Sequence, residues 1–133
     1  MTPAAAQAFL DENFAPWVRA LDITVTQVSP ERTTLTIPIT DALNRTGGIV
    51  SGQALTALAD TAMVLAIGGY EGAMSPVGTV TLDTQFLRPA SGHNIRAEAE
   101  VMRAGRGMVF TRCTLIAEPS GKTVALATAT FAR

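Results

Sequence analysis

The chain has 133 residues, enough for one domain with its own core, and a hydrophobic share of 47% against 16% charged residues implies a surface partly covered by a second copy of itself. A net charge of −1 with no basic stripe excludes the electrostatic footprint of a nucleic-acid binder. Cys113 is the only cysteine, so no internal disulfide can form and a reduced, cytoplasmic setting is expected. The opening MTPAAAQAFLDENF lacks the basic and apolar regions of a signal peptide. The longest apolar run, AMVLAIGG, falls far short of the ~20 residues a membrane span needs, so no membrane partner is expected.

Thr2-Pro3 predicts the start of an N-terminal helix, with Thr2 as cap and Pro3 in the first turn. Phe9, Phe14, Trp17, Val18 and Leu21 recur mostly at helical spacings and predict one inward face, while Pro16 breaks the regular part. ITVTQVS and TTLTIPI are β-branched and alternating, with a Ser-Pro-Glu-Arg turn between them, which predicts a hairpin. The polar loop DALNRTGG leads into SGQALTALADTAMVLAIGG, a helix over residues 51–69 that is apolar nearly all round. Four extended segments follow, GTVTLDTQFLR, NIRAEAEVMRA, MVFTRCTLIAE and TVALATATFA, joined by short turns that predict antiparallel neighbours. The economical arrangement is α+β: one domain over residues 1–133, with a six-stranded antiparallel sheet curled around the long helix. Ala54, Ala57, Ala59, Ala62 and Ala66 allow the sheet a close approach.

Asp60 stands at the centre of that helix. A buried carboxylate needs partners or it neutralises, so its presence calls for a reason. Gly47, Gly48 and Gly52 cluster at the helix start, where Ser51 is the expected N-cap and Gly52 and Gln53 form the first turn. The first N–H groups of a helix have no internal acceptor and carry partial positive charge. Behind a Gly-rich loop they form a candidate oxyanion hole, worth about 3 kcal/mol per donor. Asp60 lies about 12 Å further along the same helix, too far to act on the same carbonyl. The spacing therefore predicts a site shared by two subunits.

LNRTGGIVSGQALTALADTA followed by VGTVTLDTQFLRPA resembles hotdog-fold acyl-CoA thioesterases of the phenylacetate-pathway (PaaI-like) type. The resemblance implies hydrolysis of an acyl-CoA thioester with no cofactor, coenzyme A entering as part of the substrate. It makes Asp60 the catalytic carboxylate, as general base or nucleophile, and the N–H of Gly52 the oxyanion donor. It aligns Asn44 with the family's loop asparagine and Thr81 with a hydroxyl residue on the first strand after the helix. From its place at the helix start, Ser51 is expected to donate a hydrogen bond to substrate, and Gln53 either contacts substrate or faces the partner subunit. Arg88, Arg103 and Arg106, with Lys122, are the candidates for the phosphates of coenzyme A, since the guanidinium fork suits phosphate oxygens. A homodimer with joined sheets, and a homotetramer built from two of them, are also implied. One departure stands out: where the family reads His-Gly-Gly, this chain has Ser51, Gly52 and Gln53.

Two rival readings use the same fold. A hydratase or dehydratase pairs a carboxylate with a histidine, but the sole histidine, His93, reads as a solvated turn residue. A non-catalytic acyl-CoA binder would fit the missing histidine. Asp83 shares a strand face with Thr81, and Cys113 reads as a small core residue. Few aromatics flank the presumed site in sequence, which favours aliphatic or small aryl acyl groups.

Overall fold

A computed structural model describes all 133 residues. Helix α1 (Pro3–Asn13) starts as expected: Thr2 Oγ1 accepts the N–H of Ala5 at 3.1 Å and Pro3 leads the first turn. The chain then breaks, and the single turn α2 (Pro16–Arg19) restarts at Pro16. Ala6, Leu10, Val18 and Leu21 are buried, and Phe9 and Phe14 pack edge to face. Trp17 does not point inward; it is 63% exposed. A helical spacing counted through a break does not define one face, because α2 begins a new axis.

Strands β1 (Thr24–Val28) and β2 (Thr33–Pro38) form the first hairpin. The polar loop is more ordered than expected. A 3₁₀ turn at Asp41–Leu43 feeds a miniature hairpin of β3 (Asn44–Arg45) and β4 (Ile49–Val50). Its tip uses Gly47 and Gly48 at φ of 99° and 74°, where a Cβ would be strained. Helix α3 (Gly52–Glu71) follows, capped by Ser51 and closed by left-handed Gly72. Then come β5 (Gly78–Phe86), β6 (Asn94–Ala104), β7 (Met108–Glu118) and β8 (Lys122–Ala132).

Six strands join in one antiparallel sheet in the order β1-β2-β6-β7-β8-β5. Its inner face, including Leu35, Ile37, Ala97, Leu115 and Phe131, wraps α3. Small residues set the distance: Ala54, Ala59, Ala62 and Ala66 are buried, and a Cβ at Gly69 would meet Ser29 O and Thr33 Oγ1 at 3.0 Å. The helix is not enclosed on every side, however. One stripe stays open, and Ala57 belongs to it rather than to the core. No helix is long and apolar enough to cross a membrane. The architecture is the hotdog fold, a sheet wrapped on a single long helix.

The two edges of the sheet are treated differently. At β1, the Gln7 side chain of α1 accepts the N–H of Val25 at 2.8 Å and donates to the carbonyl of Ile23 at 3.0 Å. The other edge, β5, has no strand or helix beyond it, and its residues are mostly exposed. Gln7→Ala leaves the groups at Val25 and Ile23 without their partner. It is expected to lower stability by about 1–3 kcal/mol in chemical denaturation, with the fold retained.

Candidate active site

The open stripe of α3 consists of Gln53, Thr56, Ala57, Asp60 and Val64. Spacings of three and four residues put them on one face of the helix. Strand β5 runs antiparallel beside this stripe, and contacts fix the register between them. Thr79 Oγ1 donates to Asp60 Oδ1 at 3.1 Å near one end. Thr56 Oγ1 and Thr84 Oγ1 meet at 3.5 Å further along. At the other end the Phe86 ring lies over Gly52, so close that a Cβ there would meet it at 3.2 Å. Asp60 is therefore not sealed in the core. It sits on the only face of the helix that the sheet leaves open, next to the bare edge strand.

The hydroxyl beside Asp60 is Thr79, not Thr81. Thr79 pairs with Phe131 and Thr81 with Thr130, with Val80 as an extra residue between them. A bulge shifts the strand's alternation by one, so residues two apart point to opposite faces. Thr81 and Asp83 consequently share the outer face of the sheet, in a cleft with Met102 and Phe110, away from Asp60.

Asp60 opens into a cleft of about 330 Å³ bounded by Trp17, Gln53, Thr56, Ala57 and Leu82. Burial raises its pKa above the ordinary 3.8, and the Thr79 hydrogen bond offsets part of that rise. Gln53 thus stands in the same cleft as Asp60, whereas Gly52 opens to the other side. There a cleft of about 400 Å³ is lined by Arg45, Ile49, Leu55, Phe86, Arg88 and Pro89. It adjoins a third cleft, which shares Arg88 and Pro89 and adds Ser91, Ser120 and Lys122.

At the helix start, Ser51 Oγ accepts the N–H of Ala54 at 3.3 Å, so its hydroxyl caps the helix. The N–H groups of Gly52 and Gln53 donate to nothing within the chain. They are the free donors that an oxyanion needs. Asn44, in β3 opposite Val50, has a buried Oδ1 without a donor. Arg103 flanks and Arg106 occupies the β6–β7 turn. That turn is tied to Arg133, which pairs with Glu71 at the far end of α3, so both arginines lie at the opposite end of the sheet from Gly52 and Arg88. His93 is exposed before β6. Burial, with the charge of Glu98, pushes the Cys113 thiol up to about 12, which leaves it inert at neutral pH. No group of three or more His, Cys, Asp or Glu side chains is arranged to hold a metal ion.

Residues 47–124 match the thioesterase superfamily. The chain belongs to that superfamily. It is 24% identical over 94 residues, 71% of this chain and 70% of the other, to a Thermoplasma acidophilum protein provisionally named an esterase. A thioesterase family protein from Silicibacter pomeroyi superposes with a TM-score of 0.85 at 25% identity, covering 96% of this chain and 94% of that one. The phenylacetic acid degradation protein PaaI of Thermus thermophilus, solved as a point mutant, gives 0.78 at 26% identity, over 90% and 99% of the two chains. The PaaI-like resemblance read from the helix and the strand after it is borne out.

The sequence did not single out Thr79, Trp17 or Phe86, which the structure places beside Asp60 or Gly52. Thr79 was hidden by the bulge, and Trp17 by the break at Pro16. Phe86 was visible in FLRPA, but only the register between β5 and α3 brings it to Gly52.

A raised carboxylate pKa has a stability consequence. Its contribution is present below the unfolded value near 3.8 and is lost as pH rises through the folded value. Asp60→Asn removes that dependence. Relative to wild type, its thermal midpoint should rise as pH climbs through this window and then level off, as followed by circular dichroism.

Proposed function

We propose that the protein is an acyl-CoA thioesterase whose sites are shared between two subunits of a homodimer. The observation that carries this reading is the position of Asp60, on the open stripe of α3 and against the bare edge strand. Two-fold pairing of β5 with its own copy is antiparallel, so the Thr79 end of one strand lies opposite the Phe86 end of the other. Asp60 of one subunit then faces the helix start that carries Gly52 of the partner subunit. Such pairing also satisfies the exposed edge and joins the two sheets.

Within that site the thioester oxygen accepts from the N–H of Gly52, whose charge stabilisation strengthens as the carbonyl becomes tetrahedral. Asp60 acts from the partner side. As general base it takes a proton from water, whose oxygen bonds to the carbonyl carbon. The C–S bond then breaks, and coenzyme A leaves as a thiol after taking up that proton. As nucleophile, a carboxylate oxygen of Asp60 bonds to the carbonyl carbon, the C–S bond breaks, and the thiolate leaves and is protonated by solvent. Water then attacks the resulting mixed anhydride, releasing the acid and restoring the carboxylate. Burial that raises the pKa brings the carboxylate closer to neutral pH, where a base is most effective. Arg88, between the Gly52 cleft and Lys122, is the best-supported phosphate contact, with Arg45 beside it. Arg103 and Arg106 reach the nucleotide only if it extends along the partner's sheet. Exposed Met102, Met108, Phe110 and Leu126 on the outer sheet suit the stacking of two dimers into a tetramer.

The test is release of free thiol from phenylacetyl-, benzoyl- and hexanoyl-CoA. Asp60→Asn is expected to lower kcat by at least about 10²-fold. Gly52→Pro is the cleaner probe of the donor. Proline suits the first helical position and Ser51 is already extended, so the N–H is lost while the Phe86 ring, 3.2 Å from the new Cβ, must shift by a few tenths of an ångström. Its expected loss is about 10²–10³ in kcat, with folding and dimer formation checked by circular dichroism and gel filtration because Phe86 must move. Coenzyme A binding without turnover by the wild type would instead support the non-catalytic binder, consistent with Ser51 standing in place of a histidine.

A further inference from the structure

The Gln53 carboxamide is exposed and, unlike the Ser51 hydroxyl near it, takes no partner within the chain. It stands where the thioesterases that this chain resembles carry a glycine. Gln53 and Asp60 line one cleft of about 330 Å³ and mark its two ends along α3. Two turns of helix, about 10 Å, separate them, so within one subunit the carboxamide does not reach the carboxylate. The proposed two-fold pairing changes this. Thr79 lies beside Asp60 and Phe86 beside Gly52, so setting Thr79 against Phe86 of the partner subunit puts the axis near Thr56 and Ala57. Gln53 of the partner subunit then stands opposite Asp60. Helical side chains lean toward the start of their own helix, so on two antiparallel helices these two lean apart. The space between them suits a bridging water rather than a direct hydrogen bond.

We infer that Gln53 is a further catalytic residue, whose carboxamide oxygen holds the attacking water against Asp60 of the other subunit. This inference rests on the thioesterase reading and adds a residue to it. A water whose lone pair is aimed at a carbonyl carbon needs an acceptor for each of its two hydrogens. Asp60 is one: Thr79 occupies Oδ1 and leaves Oδ2 for the water. The other polar side chains of the cleft are Trp17, Thr56 and Gln53. The indole N–H can only donate, and the Thr56 hydroxyl is engaged with Thr84 Oγ1 at 3.5 Å. Gln53 Oε1 remains, and Gln53 adjoins the free N–H of Gly52 that receives the thioester oxygen. In the step, the water oxygen bonds to the carbonyl carbon and one proton passes to Asp60. The second hydrogen, held by Gln53, stays on that oxygen and leaves in the acid. The C–S bond breaks, and the thiolate takes the proton from Asp60. Water thus attacks the thioester itself, which selects the general-base route over the nucleophile.

The test is thiol release from the same three thioesters by Gln53→Ala and Gln53→Met, with folding and dimer formation confirmed by circular dichroism and gel filtration. Both should lose about 10²-fold in kcat with KM within about twofold of wild type, since the contact orients water and not substrate. Their first turnover should show no burst of thiol. Gln53→Glu tests the juxtaposition itself. Asp60 is the only charged residue lining the cleft, and a second carboxylate opposite it raises its pKa, so the acid limb of kcat/KM should move to higher pH. Full kcat in both uncharged variants, a stoichiometric burst before slow turnover, or an acid limb that Gln53→Glu leaves in place would each overturn the assignment. The thioesterase reading survives all three results if wild type releases thiol and Asp60→Asn does not. No release by the wild type overturns both.

Discussion

The site depends on one contact, the line along which the open stripe of α3 lies against β5. Everything chemical in the chain is arranged along it: Asp60 with Thr79, Thr56 with Thr84, and Gly52 with Phe86. Elsewhere the sheet encloses the helix with apolar side chains, and the few buried polar ones are threonines, of which Thr61 and Thr111 donate to backbone carbonyls. Away from the Glu71–Arg133 pair at its end, the helix carries a carboxylate only at this seam. The same seam is the one place where the sheet ends without a cover, because the opposite edge is closed by Gln7 of α1.

Two physical requirements meet at that seam. A carboxylate useful near neutral pH needs partial burial, and Asp60 has it, moderated by the Thr79 hydroxyl. An oxyanion donor needs unpaired N–H groups, and a helix start supplies them without any special side chain, provided the cap does not consume them. Ser51 caps the helix at Ala54 and leaves the N–H groups of Gly52 and Gln53 free. The lack of a histidine at this point removes a side-chain donor but not the backbone one.

Much of this was legible in the sequence. Strand alternation and short turns predicted six antiparallel strands around the helix, and Thr2, Pro3 and Ser51 marked helix starts through capping chemistry alone. The helix spacing that separates Gly52 from Asp60 raised the expectation of a shared site, which the proposed pairing of β5 carries forward. What was not legible depended on breaks in periodicity. The bulge at Val80 exchanged Thr81 for Thr79, and the restart at Pro16 turned Trp17 from a core residue into the wall of a cleft. Arg106 read as the favoured phosphate contact, ahead of Arg103 and Arg88, and only topology separates the two ends of the sheet. Ala57 looked like every other alanine of the helix until the open stripe was located.

The most direct measurement mixes two inactive chains, Asp60→Asn and Gly52→Pro, after unfolding and refolding together, and records thiol release. If each site draws Asp60 from one subunit and the oxyanion donor from the other, mixed dimers carry one intact site. Activity should then return to about a quarter of wild type per site at random assortment. If both groups act within one subunit, no mixed dimer contains an intact site. Activity that stays at the level of the parent variants, with mixed dimers demonstrably formed, would contradict the account.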